Sequence, residues 1–189
     1  LRNPDYAPFL QRAKDAKPDA LFVFVPSGEG LAVMEQFDER GLKQAGVRMI
    51  GTGDVTDDDL LESMGAPSVG VITSFHYSAA HDSPENKAFV KAYAEVNGTK
   101  LRPNFMAVGG YDGMAAIYEA LKKTGGPTDA EKVIAAMKGL KIMSPRGPIT
   151  IDPDTRDPIQ TVYIRKVEKT PNGLYNIEFD RFADQKDPK

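Results

Sequence analysis

No cysteine occurs among the 189 residues, which removes disulfides, thiolate nucleophiles, iron–sulfur clusters and cysteine-based zinc sites at once while leaving the redox compartment open. Histidine is almost as scarce. His76 and His81 are the only two; they lack the i, i+4 spacing of a zinc-binding helix, and no second cluster completes a site, so no metal is expected. Neither sign of charge dominates: 24 basic and 27 acidic residues are interleaved to a net charge of -3, and without a basic stripe to follow a phosphate backbone no nucleic-acid partner is expected. Long apolar runs are missing too. Ala20-Leu21-Phe22-Val23-Phe24-Val25 is strand-length and cannot span a bilayer. No Walker lysine motif is present, and Ser27 does not sit in a G-x-S-x-G elbow.

What remains is an ordinary globular composition, 41% hydrophobic and 27% charged, in a chain long enough to bury roughly 70% of its unfolded surface as one large domain or two small lobes. The opening Leu1-Arg2-Asn3-Pro4 carries neither an initiating Met nor a signal peptide and reads as the interior of a longer protein.

Apolar spacing organises the first half. Asp5 precedes Tyr6, Phe9, Leu10, Ala13 and Ala16 at helical intervals, and Lys17-Pro18 ends that helix. The 20–25 run, apolar without alternation, predicts a parallel strand buried on both faces. A helix with Leu31, Met34 and Phe37 follows, then a strand at 47–50, a short helix from about Thr56, a strand at 69–75, and a helix capped by Ser83 with Pro84 at its first position, closed by Asn97-Gly98. This αβαβαβα order predicts an α/β fold built on a three-layer, doubly wound parallel sheet, which binds ligands at the carboxyl ends of its strands. Here those ends are 26–30, 51–54 and 75–81.

Beyond a break at Leu101-Arg102-Pro103-Asn104 the pattern changes. A long helix carries Val108, Tyr111, Ala115, Tyr118 and Leu121; Thr128 and Glu131 form a capping box for the next. A short strand at 149–152 and an antiparallel pair at 161–167 and 174–179, joined at Pro171-Asn172-Gly173, complete the chain.

The strand-end residues are the functional candidates. Gly28-Glu29-Gly30 and Gly51-Thr52-Gly53 each follow a strand but lack the third glycine of a dinucleotide fingerprint, since Val33 and Thr56 stand there. They either permit tight turns or present backbone N–H groups to a small anion such as a carboxylate. Asp54 is placed to take an ammonium or hydroxyl group of a ligand. His76 and Tyr77, just beyond a strand end, either line the cleft or belong to the core. Asp57-Asp58-Asp59 resembles a metal cluster but reads as the acidic first turn of a helix, and His81 and Asp82 as a solvated loop.

The run Asp5-Tyr6-Ala7-Pro8-Phe9-Leu10-Gln11-Arg12 through Phe24, with Gly51-Thr52-Gly53-Asp54, Phe75-His76-Tyr77, Gly110-Tyr111-Asp112-Gly113-Met114 and Ser144-Pro145-Arg146-Gly147-Pro148-Ile149, resembles the branched-chain amino-acid-type, type I periplasmic binding proteins of ABC importers. The likeness covers essentially the whole chain, in the family's order, and matches only its C-terminal half. It implies a periplasmic-binding-protein-like lobe formed by residues 1–104 and 159–189, with 105–158 contributing part of the other lobe. It further implies a solute-binding protein rather than an enzyme, periplasmic or extracellular and held at the membrane by its permease. No cofactor is implied. The ligand would be an amino acid or an aromatic or aliphatic carboxylate, contacted by Ser27, Gly28, Thr52, Gly53, Asp54, His76 and Tyr77, with Tyr111 beside the hinge. Ser27 stands where family members often present a tyrosine, so ligand preference differs. A ligand-sensing domain of a signalling protein, and an α/β enzyme with a nucleotide or acyl substrate, are the alternatives. Self-association of the exposed half is a further expectation.

Overall fold

The computed structural model describes residues 4–126 and 129–188. In chain order it comprises α1 (Ala7–Asp15), β1 (Ala20–Val23), α2 (Gly30–Glu39), β2 (Arg48–Thr52), a 3-10 turn (Gly53–Thr56), α3 (Leu61–Met64), β3 (Ile72–Phe75), α4 (Pro84–Asn97), α5 (Phe105–Thr124), α6 (Ala130–Met137), β4 (Lys141–Ser144), β5 (Gly147–Ile151), β6 (Pro158–Thr170) and β7 (Gly173–Gln185). β1 pairs with β2, and β2 with β3, in parallel. Their carboxyl ends therefore finish along one edge, as the α/β reading requires. β6 adds antiparallel to β3, Tyr163 facing Phe75 and Lys166 facing Ile72. The order across the sheet is β1-β2-β3-β6-β5-β4, with β7 beside β6.

The 13-residue β6 has two successive neighbours on one side. Pro158 and Ile159 pair with β5, and 163–166 pair with β3. One strand thus runs from the β4–β5 hairpin into the parallel sheet.

Local signals explain the helix boundaries. Ser83 Oγ accepts from the N–H of Asn86 with Pro84 in the first turn, and Asn104 Oδ1 accepts from the N–H groups of Met106 and Ala107 at the start of α5. At α6 the cap is Asp129, which accepts from the N–H of Lys132, instead of the expected Thr128–Glu131 box; Thr128 lies outside the described residues. β4 was not expected, because its short Lys141-Ile142-Met143-Ser144 alternation carries only two apolar residues.

The main core gathers Leu10, Val33, Met34, Phe37, Met49, Val55, Leu61, Met64, Val71 and Val167 under α1, α2 and α3. The expectation for the 20–25 run is only half met. β1 is the edge of the sheet, and although Leu21, Val23 and Val25 pack on that core, Phe22 and Phe24 are 63% and 70% exposed. The described residues place no layer over that face.

At the centre lies an ion pair. Arg165 of β6 is fully buried, with Nη1 3.5 Å from Asp58 Oδ2. Its guanidinium donates to Thr73 Oγ1 at 3.1 Å, to the carbonyl of Tyr77, and to the carbonyl of Gly53 at 3.4 Å. Asn176 of β7 donates to Asp58 Oδ1 at 3.0 Å and to the Thr56 carbonyl at 2.8 Å. Burial pushes the Asp58 carboxyl up, a shift opposed by the charge of Arg165 and the amide of Asn176. Arg165→Met strands Asp58 and should lower unfolding free energy by about 3–5 kcal/mol, whereas Arg165→Met with Asp58→Leu should recover most of it. Urea denaturation of the two variants checks this; equal losses would show that the charge pair itself is not what holds these elements.

Candidate functional site

The parallel register sets Val23 beside Gly51 and Thr52 beside Ser74, so the turns after β1, β2 and β3 share one edge. Ser27 and Gly28 form the first turn, closed by Glu29 N–H on the Pro26 carbonyl. Gly28, at φ +94°, holds a conformation other residues rarely adopt. Ser27 Oγ donates to Asp57 Oδ2, tying this turn to the next.

The second turn is Thr52, Gly53 and Asp54. A Cβ on Gly53 would lie 2.0 Å from the Phe75 ring, so this glycine serves the close approach of that aromatic. Thr52 Oγ1 is buried without a hydrogen-bond partner. Asp54, half-buried in the 3-10 turn, adds to the negative potential around Arg165.

Asp57-Asp58-Asp59 is no helical first turn. The 3-10 turn closes at Thr56 and α3 starts only at Leu61, leaving three adjacent acids in loop backbone with separate fates. Asp58 faces Arg165, and Asp59 is exposed. Asp57, 4% exposed, receives Ser27 and, at 3.4 Å, the Nδ2 of Asn104 on Oδ2, while Oδ1 has no donor. Its pKa is pushed up to about 6 by burial above all; Ser27 opposes this, and Asp59 and Asp58 add to it.

The third turn presents aromatics. Phe75 and His76 have ring centroids 4.5 Å apart, and Phe105, the first residue of α5, meets them edge-on at 5.1 and 6.3 Å. Burial, with the charges of Arg146 and Arg165 behind it, lowers the His76 pKa to about 4, so its ring is neutral at physiological pH. Tyr77 turns the other way. It is wholly buried, donates to Asn86 Oδ1 at 3.0 Å, and stands 6.4 Å from Phe89, which makes it core. Tyr111 is half-exposed with its ring 5.0 Å from Phe89; it joins α5 to α4, and among the described residues no hydrogen bond or ring contact ties it to the strand-end groups. Its neighbour Asp112 accepts from Arg146 Nε at 2.7 Å, a buried pair linking two segments 34 residues apart. Tyr163 Oη donates to the Arg146 carbonyl at 2.8 Å, so β6 is bound into the same junction.

The structure therefore unites Ser27, Gly28, Thr52, Gly53, Asp54 and His76, sets Tyr77 and Tyr111 apart, and adds Asp57, Asn104 and Phe105. His81 is also not the solvated residue expected: its Nδ1 lies 2.8 Å from Glu178 Oε2, with the side chain 13% exposed. Asp82 is exposed and pairs with Lys87.

A family model described as periplasmic binding protein matches residues 1–172. The chain belongs to the periplasmic binding protein family. A solute-binding protein of an ABC transporter from Rhodopseudomonas palustris BisB5, solved in complex with 3,4-dihydroxybenzoic acid, is 63% identical, with a TM-score of 0.92 over 98% of this chain and 51% of its own. A second solute-binding protein from R. palustris, in complex with 4-hydroxybenzoate, is 42% identical, with a TM-score of 0.91 over 97% of this chain and 50% of its own. The Leu/Ile/Val-binding protein homolog 6 of Brucella melitensis is 41% identical over the whole of this chain. The chain spans about half the length of the curated relatives it matches. The likeness to the family's C-terminal half noted in the sequence thus meets an α/β architecture shared with periplasmic binding proteins of type I.

Raised in the fold from its usual 3.8 to about 6, the Asp57 carboxyl adds stability in acid that is lost as pH climbs through that window. Asp57→Asn, which keeps an acceptor for Ser27, should therefore melt a few degrees above the parent at pH 7.5, with the gap closing toward pH 4. Thermal melts at the two pH values measure it; a variant less stable at both would contradict the strained-carboxylate reading.

Proposed function

We propose that this chain forms half of the solute-binding component of an ABC importer, and that the strand-end edge is its wall of a ligand site for an aromatic carboxylate. The observation that carries this is the aromatic shelf: Phe75, neutral His76 and Phe105 lie together beside the strand-end turns, offering ring faces and edges against which the ring of an aromatic acid can pack. The relatives solved with 3,4-dihydroxybenzoic acid and 4-hydroxybenzoate support the same class and favour it over an amino acid.

Residues 1–104 and 159–189 would form one lobe, and 105–158 part of the other. The pairing of β6 with β5 first and β3 afterwards supports that division, since a strand shared between lobes is a natural hinge. The component would capture solute between lobes in the periplasm, close, and deliver it to a membrane permease. It would be a binding protein rather than an enzyme, a reading supported by the relatives, which are solute-binding proteins.

Isothermal titration of the full-length protein tests the reading. Benzoate and 4-hydroxybenzoate should bind and leucine should not. Phe105→Ala should weaken both benzoates by about tenfold or more, the scale of a lost aromatic contact. Binding of leucine alone would overturn the ligand class, and unchanged affinity in the variant would take the shelf out of the site.

A further inference from the structure

We infer that Asp57, assisted by Thr52, is the acceptor that reads a phenolic hydroxyl on the ligand, and so sets a preference for hydroxylated over unsubstituted benzoates. The inference rests on the aromatic-carboxylate reading above and assigns a role within it.

Two buried oxygens at the strand-end edge lack hydrogen-bond partners: Asp57 Oδ1 and Thr52 Oγ1. Buried polar atoms are nearly always satisfied, and leaving one unpaired costs about 1–3 kcal/mol. Two such atoms five residues apart, on the loop that also positions Gly53 against the Phe75 ring, point to a donor that arrives with the ligand.

The surrounding contacts say which kind of donor. Asn104 spends its Oδ1 on the N–H groups of Met106 and Ala107, so its Nδ2 must face Asp57, where it lies 3.4 Å from Oδ2. Ser27 donates to that same oxygen. Both protein donors are thus committed to one side of the carboxylate, and the other side stays an acceptor. Asp59, exposed alongside and within hydrogen-bond reach of Asp57, can fill the gap only while one of the two carboxyls holds a proton; with both ionised, as at the pH 7.5 of the test below, it is an acceptor as well. Asp57 is 4% exposed, so bulk water does not serve it freely.

Charge orients the ligand. Asp54, Asp57 and Asp59 give this edge a negative bias, and the Arg165 and Arg146 cations behind it are already paired with Asp58 and Asp112. A benzoate would therefore turn its carboxylate away from this edge and present the opposite end of its ring. A hydroxyl there is a proton donor aimed at a carboxylate, the stronger class of hydrogen bond; a bare C–H leaves Oδ1 unsatisfied and a buried charge exposed to an apolar edge. Rejection of the analogue that lacks the hydroxyl follows from that unpaired group.

The test is isothermal titration of full-length protein at pH 7.5 with benzoate, 4-hydroxybenzoate and 3,4-dihydroxybenzoate, in parent, Asp57→Asn and Thr52→Val. The parent should favour the hydroxylated acids. In Asp57→Asn, Ser27 and Asn104 hold the amide oxygen, so an N–H group takes the place of Oδ1 and faces the ligand as a donor. The ratio of hydroxybenzoate to benzoate affinity should then fall about tenfold or more, the loss expected for a hydrogen bond to a charged group. Thr52→Val, of equal volume, should lower the ratio by a smaller factor and supplies the reading if the first variant does not fold. An unchanged ratio in folded Asp57→Asn, or in Thr52→Val where that must stand alone, overturns the assignment, as does equal weakening toward all three acids, which marks a structural role. A parent that binds none of the three overturns the aromatic-carboxylate reading itself, a result distinct from either.

Discussion

The buried contact between Arg165 and Asp58 is the constraint on which the strand-end edge depends. A guanidinium with no access to water must be met on nearly all its donors, and the chain supplies partners from four places: the Gly53 carbonyl and Asp58 after β2, Thr73 in β3, the Tyr77 carbonyl beyond it, and Asn176 in β7 through Asp58. Such a pair adds little net stability compared with apolar residues of equal volume. Its directionality is the gain, because two of its donors fix backbone carbonyls of the strand-end turns, those of Gly53 and Tyr77. The Phe75 ring, 5.1 Å from the Arg165 guanidinium carbon, is held from behind by a cation and from the side by Gly53. The shelf is therefore set by the same group that sets the turn.

Much of this frame was legible in the sequence. The three parallel strands, the Ser83–Pro84 start of α4 and the final hairpin at Asn172-Gly173 follow from spacing and turn chemistry, because those signals are local. Where the reading failed, the deciding partner was distant in sequence. Asp57, Asp58 and Asp59 satisfy the composition of a helical first turn, and only the arrival of Arg165, Asn176 and Ser27 from elsewhere makes two of them buried ligands of other side chains. His81 looks solvated until Glu178, 97 positions away, lies beside it. The 20–25 run has the composition of a strand covered twice, yet Phe22 and Phe24 lie bare at the edge of the sheet.

The candidate site was legible by location more than by residue. The rule that ligands bind beyond the carboxyl ends of parallel strands picked out Ser27, Gly28, Thr52, Gly53, Asp54 and His76, which the structure does gather. It could not separate His76 from Tyr77, since adjacent residues beyond a strand end point to opposite sides; the Asn86 amide and the Phe89 ring claim the tyrosine. Nor could it find Asn104 and Phe105, which arrive on the first turn of a helix that belongs, by its contacts with β4 and α6, to the other part of the chain. Both motif clusters around Asp112 and Arg146 were visible as separate likenesses, but nothing in their spacing said that one side chain salt-bridges the other.

An acid whose ionisation burial disfavours, on the same strand-end edge as an imidazole kept neutral by burial and by two cations, is an arrangement that lowers stability without any evident packing gain. Burial is the first cause of both shifts: the His76 cation is suppressed, and the Asp57 carboxyl is pushed up to about 6, so above that pH the edge carries a carboxylate with no imidazolium to offset it. A negative edge with a neutral imidazole would suit the ring of an aromatic acid better than its carboxylate. A protein under selection for folding alone would replace Asp57 with an asparagine or a threonine and lose nothing from the sheet. Retaining a carboxylate whose second oxygen lacks a partner makes physical sense if that oxygen is satisfied when solute is bound, so the penalty carried without solute would become part of the free energy of binding it.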